Sequence, residues 1–212
     1  YYQTDNDIVF INRFGHQTPV LSFKTLDNQP DKVNTFLDMS LGNDTLIILA
    51  KNHLVYIKLT HQVTHAIPIE GTTTLSRVVS NNDNACVTLA KGIQCFDLDG
   101  EVTKSYDYEM PTAPIMEGNK LYFVDAEGLK LVDVKTDRHS TLLAKTGLGD
   151  IALAKAPNKL WMEQNRELKL FDVKKRHFIP HKHSRQARGN IFDIFESKDH
   201  TVWVAGTQLE KL

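Results

Sequence analysis

Nine histidines, two cysteines and one strongly basic stretch are the residues of this 212-residue chain whose types and spacing could do chemistry. His177, His181 and His183 fall within seven positions, and His181 and His183 are spaced to project from one side of a strand. A metal centre needs three or four converging ligands with a supporting shell of carboxylates or carbonyls. No Asp or Glu occurs between Asp172 and Asp193, so the histidines read as members of a solvated loop. No metal or other cofactor is expected. The same stretch carries a second signal: residues 174–188 hold six Lys and Arg residues and no acidic one. Such a concentration of positive charge suits the sulfate or carboxylate groups of an acidic ligand. Arg176, His177, His181, Lys182, His183, Arg185 and Arg188 are therefore the candidate ligand-binding residues. The competing reading of the stretch is a solvated linker, and the sequence leaves both open.

The other candidates point to packing. If Lys91 and Gly92 form a two-residue turn, Cys86 faces Asp97 and Cys95 faces Thr88. The cysteines are then diagonal neighbours about 7–8 Å apart, at the edge of what a disulfide spans. They read as small buried hydrophobes. Tyr122, Phe123, Trp161 and Trp203 recur at the spacing of the blades, as residues that pack repeat on repeat do. The sequence contains no nucleophile elbow, Gly-rich phosphate loop or zinc-protease helix. No catalytic residue is assigned, and the chain does not read as an enzyme.

The elements that must position these residues form a repeat. An apolar strand, a polar turn and a second strand ending in an aromatic or Val followed by a polar residue recur at 45–59, 85–98, 120–134 and 159–173. Aligning Tyr56, Phe96, Val132 and Phe171 gives steps of 40, 36 and 39 residues. Short β-branched and aromatic runs bounded by Asn, Asp, Gly and Lys are antiparallel-strand signals. No helical period is sustained. Four strands per unit of roughly 40 residues is the arithmetic of an all-β fold, the β-propeller. A β-sandwich would not repeat the same turn chemistry four times. The expected organisation is four complete blades, 33–74, 75–110, 111–147 and 148–189, with partial blades at 1–32 and 190–212. The two partial blades duplicate strands instead of completing one another, and the chain begins with Tyr1, so part of a longer array is expected.

Composition narrows the function classes. Lys and Arg number 25 against 26 Asp and Glu, a formal net charge of -1. That balance excludes a generally basic nucleic-acid binder. The longest apolar run, Leu46 to Ala50, is far short of a membrane-spanning helix.

The last copy resembles a known repeat. Asn190–Leu212, with Thr201-Val-Trp-Val-Ala-Gly-Thr207 at its centre, is similar to the two-component-regulator propeller repeat. Leu160-Trp161 and Leu121-Tyr122 occupy the family's Leu/Ile-Trp slot, and Gly128-Leu129 its Gly-Leu slot. His200 and Gln208 depart from the usual glycines. The resemblance implies the periplasmic sensor region of a hybrid two-component histidine kinase of Bacteroidetes type. It further implies an oligosaccharide ligand, signalling across the inner membrane, the rest of the receptor chain as partner, and a homodimer in the full receptor. The kinase activity would lie elsewhere in the parent chain. A protein-interaction scaffold is the alternative that any propeller admits.

Overall fold

The computed structural model describes residues 2–3, 7–11, 16–22, 36–58, 60, 63–144, 147–182, 184–186, 191–206 and 209–212. They form two compact units, Tyr1–Asp107 and Tyr108–Leu212. Every described regular element is a β-strand.

The first unit contains three antiparallel sheets. One joins β1 (Tyr2–Gln3), β2 (Asp7–Ile11) and β3 (Gln17–Ser22) in that order. The next joins β4 (Phe36–Gly42), β5 (Thr45–Ala50), β6 (His53–Lys58) and β7 (Val63–Pro68). The third joins β8 (Val78–Ser80), β9 (Asn84–Leu89), β10 (Gly92–Asp97) and β11 (Val102–Tyr106). The second unit repeats the pattern. Its sheets are β12 (Thr112–Glu117) to β15 (Arg138–Ala144) through β13 (Lys120–Asp125) and β14 (Gly128–Asp133). Then come β16 (Leu148–Leu153), β17 (Lys159–Gln164), β18 (Glu167–Asp172) and β19 (His177–Ile179), with β20 (Arg185–Gln186) also on β18. The last sheet is β21 (Ile191–Glu196), β22 (Val202–Gly206) and β23 (Leu209–Lys211). The four inner sheets, three of four strands and one of five, are the meandering blades expected from the repeat, and the first and last sheets hold three described strands each.

Burial explains the strand sequences. The middle strands are covered on both faces, so β5 reads Thr-Leu-Ile-Ile-Leu-Ala with every residue buried, a continuous apolar run rather than an alternation. The outer strand β11 is buried only at Tyr106, with Thr103, Lys104 and Ser105 between it and the exposed Val102. Within each unit, blades pack through these faces. Ile47, Leu49, Leu54 and Tyr56 of one blade meet Val78, Ala85, Val87 and Phe96 of the next. Tyr122 and Leu129 meet Ile151, Leu160, Met162 and Phe171 in the same way. Each such side chain removed from water contributes roughly 1.5–3 kcal/mol. The first strands of neighbouring blades also bond directly. Asp38 accepts the Val78 N–H at 2.9 Å, and the Ser40 and Ser80 hydroxyls lie 2.8 Å apart.

In three of the four copies, after Phe96, Val132 and Phe171, the next residue is an aspartate with a defined task. Asp97 Oδ1 accepts the N–H groups of Asp99 and Glu101, at 3.0 and 2.9 Å. Asp133 Oδ1 accepts those of Lys135 and Thr136, and Asp172 Oδ1 that of Lys175. A side-chain acceptor two or three residues before the turn fixes the bend between third and fourth strands. These bonds hold the Asp133 and Asp172 carboxyls below the usual carboxylate range.

The cysteine pairing differs from the sequence expectation. Ala90 and Lys91 form the β9–β10 turn, and Gly92 pairs with Leu89. That one-residue shift sets Cys86 directly opposite Cys95, with a Cα separation of 4.0 Å, and the two form a disulfide. Gly92 is not a turn residue because it is needed in β10. Its φ is +145°, and a Cβ there would come 2.1 Å from the Tyr106 carbonyl oxygen. Both cysteines are buried.

One irregularity recurs. The register shifts near the start of the first strand in four blades: between Phe36 and Asp38, Thr112 and Ile115, Leu148 and Ile151, and Ile191 and Asp193. A bulge re-aims side chains at a strand end. The first three bulges lie beside the turn that joins the second and third strands of their blade.

Candidate functional site

The basic stretch is not a loop leaving its blade but an outer strand in two pieces. β19 pairs His177 with Asp172 and Ile179 with Leu170. The chain then bulges out, closed by the Ser184 N–H on the His181 carbonyl at 2.9 Å. β20 returns to the same strand, with Arg185 opposite Leu168 and Gln186 opposite Glu167. The candidate residues are therefore spread along β18. Arg176 and His177 lie at one end and Arg185 near the other, about 14 Å apart at roughly 3.4 Å per residue.

Arg176 is a turn residue, with φ +55° and its N–H on the Asp172 carbonyl at 2.8 Å. His177 is exposed, with Nδ1 3.3 Å from the Lys175 carbonyl oxygen. Lys182 is exposed on the bulge. His181 turns inward and stands edge-on to Trp161, with ring centroids 4.9 Å apart. Burial lowers its pKa, Lys182 and Lys159 act in the same direction, and Glu196 opposes them. His183, Arg188 and the side chain of Arg185 lie outside the described residues.

His181 leads to a polar centre that sequence reasoning missed. Glu196 ends β21 and is only 8% exposed. Its Oε2 accepts the Trp161 indole N–H at 2.7 Å and the Lys155 N–H at 3.0 Å, both from the preceding blade. Its Oε1 lies 2.9 Å from Nδ1 of His200, on the turn after its own strand. Burial acts to raise the Glu196 pKa, but the Trp161, His200 and Lys155 hydrogen bonds hold it below the usual range. Around it Trp161, Leu168 and Leu170 pack on Ile191, Ile194, Val202 and Val204. Trp161 is 1% exposed, so it joins blades as its register suggested, and its one polar atom is matched to a buried carboxylate. The arrangement fastens two blades and engages both oxygens of the Glu196 carboxylate.

The opposite end of the same blade is different. Asn165 and Arg166, with φ +53° and +64°, make the tight β17–β18 turn. Glu163 folds back over the bulged first strand and accepts the Asp150 N–H. Gly149 makes room for it, since a Cβ there would lie 2.4 Å from Glu163 Oε2. Burial raises the Glu163 pKa, opposed by the Asp150 N–H and by Arg166. Arg185 and Gln186 come alongside Glu167 at this end. Asp150, Glu163, Arg166 and Glu167 thus give both carboxylates and a guanidinium group to one end of a blade. Carboxylates accept from hydroxyls and guanidinium groups donate to them, so this end is equipped for hydrogen-bonding recognition. Among the described residues, no three His, Cys, Asp or Glu converge as metal ligands.

The sequence matches no known family model and no curated protein. Solved structures resemble the fold. The WD40 domain of Neurospora crassa Pan2 matches with a TM-score of 0.71 at 10% identity, over 95% of this chain and 67% of that one. KlHsv2 with loop 6CD replaced by a Gly-Ser linker matches with a TM-score of 0.58 at 7% identity, over 82% of this chain and 60% of that one. PorZ, a bacterial surface component of the type-IX secretion system of Porphyromonas gingivalis, matches with a TM-score of 0.56 at 15% identity. That match takes in 85% of this chain but only 28% of PorZ. At these identities the likeness is one of fold. The chain is a β-propeller, an architecture compatible with ligand binding or protein interaction.

Proposed function

We propose that this propeller is the ligand-binding part of an extracytoplasmic receptor of hybrid two-component type, taking an oligosaccharide and signalling across the inner membrane. The observation that carries the compartment is the Cys86–Cys95 disulfide. Disulfides persist in oxidising spaces such as the bacterial periplasm and are rare in the cytosol. The repeat centred on Trp203 supports the receptor class by its resemblance to two-component-regulator repeats. The oligosaccharide is supported by the end of the blade that gathers Asp150, Glu163 and Arg166, since sugar hydroxyls both donate and accept. Uronic or sulfated sugars would engage the Arg166 guanidinium most strongly.

Calorimetry of the intact receptor ectodomain against a panel of neutral, uronic and sulfated oligosaccharides tests this. Saturable binding that weakens when Glu163 is replaced by Gln supports the reading. Flat titrations across the panel, together with one stable protein partner in pull-downs, would replace it with the scaffold function.

A further inference from the structure

We propose that the outer face of the last blade, bearing Phe195, Trp203 and Leu209, docks one further antiparallel blade of the same propeller, contributed by polypeptide outside these 212 residues, and that this blade presents a carboxylate to the Trp203 indole N–H.

The face is apolar and open. Val202 and Val204 point toward the preceding blade, so Trp203 between them points away. Phe195 pairs with Trp203 and is 59% exposed, and Leu209, paired with Ala205, is 69% exposed. Lys211 covers part of the Trp203 ring, with Nζ 5.6 Å from its centroid.

The occupant follows from the equivalent faces inside the units. Val202 pairs with Glu196, Leu160 with Leu153, and Ala85 with Ser80, which aligns the ends of three first strands. Ile47 of β5, Tyr122 of β13 and Trp161 of β17 hold one slot on their second strands, and in each case the following blade covers that slot. The aligned first-strand residue of the covering blade is Ser80 after Ile47, Leu153 after Tyr122 and Glu196 after Trp161. Only the tryptophan, the one side chain of the three with an indole donor, meets a carboxylate. A buried donor without an acceptor costs about 1–3 kcal/mol, which is the physical reason for the match. Trp203 fills the same slot, so the blade that covers it needs an Asp or Glu where Glu196 stands in its own blade.

The test is a double-mutant cycle in the full-length polypeptide, pairing Trp203→Phe with replacement of that carboxylate by its amide. The cycle Trp161→Phe with Glu196→Gln serves as the reference. Trp203→Phe keeps the apolar area and removes only the donor. The expected result is non-additivity: the double variant melts no lower than the worse single variant, as in the reference cycle. Additive losses in the Trp203 cycle would overturn the proposal, as would a full-length sequence without Asp or Glu at that register position. A dimer in sedimentation that Trp203→Ser dissolves would place a second copy of the chain on this face and overturn it too.

Discussion

Cys86 and Cys95 occupy in their blade the paired positions that Trp161 and Leu170 fill two blades later, and a disulfide stands where the other blade has a large apolar pair. A crosslink joining residues nine apart removes roughly 2–3 kcal/mol of unfolded-chain entropy. Replacing both cysteines by Ala should lower the melting temperature of the first unit. Alkylation of the denatured, unreduced protein should add no mass. Two labelled thiols in that experiment would show that the pair is reduced in the native protein.

Acid should loosen the junction of the last two blades. The Glu196 pKa is lower in the folded protein than in the unfolded chain, where the carboxyl is free. Its stabilisation is therefore complete above the ordinary carboxylate range and is lost as pH falls through the folded value. Glu196→Gln should cost about 2 kcal/mol at neutral pH, the scale of hydrogen bonds to a buried charge. The variant should also flatten the acid limb of a melting-temperature profile. An unchanged acid limb would assign the acid sensitivity to other carboxylates.

Tyr122→Phe should leave stability unchanged or raise it by up to about 1 kcal/mol. The Tyr122 hydroxyl is buried without a hydrogen-bond partner among the described residues, so deleting it removes a desolvated polar group and no bond. Burial, with a smaller contribution from Glu117, pushes its pKa up to about 12. Burial raises the Tyr56 and Tyr108 pKa values as well, so the variant should lack one of several late tyrosinates that the wild-type protein shows in an alkaline absorbance titration.

A short anionic saccharide cannot depend equally on both ends of β18. Arg166→Ala with Arg185→Ala should weaken binding of a uronic or sulfated disaccharide and reduce its salt dependence. Arg176→Ala with His177→Ala should leave both nearly unchanged. Equal losses in the two double variants, measured by calorimetry at two salt concentrations, would require a ligand long enough to follow the whole strand.

The blades were legible because their signal is local. Fully buried middle strands must be largely apolar, as at Leu46–Ala50, and the Asp after Phe96, Val132 and Phe171 does turn chemistry within the next four residues. Where the outcome depended on a neighbouring strand, the sequence was silent. The β9–β10 register turned on the close approach of Gly92 to Tyr106, a fact of the adjoining strand, and the one-residue difference converted diagonal cysteines into opposed ones. The basic stretch looked continuous because charge was counted along the chain. In space it divides where His181 turns onto Trp161. Glu196 was hidden for a similar reason: its partner lies 35 residues earlier, and a single carboxylate at a strand end carries no pattern of its own.

Nearly every strand pairs with one adjacent to it in sequence, and this bears on how the protein is made. A blade can close its hydrogen-bond ladders as soon as its own 40 or so residues have emerged during synthesis. It need not wait for distant chain. The cysteine hairpin is complete once Asp97 is free, so oxidation can precede any contact with later blades. Assembly then proceeds in the order of translation, each finished sheet offering the surface on which the next one settles.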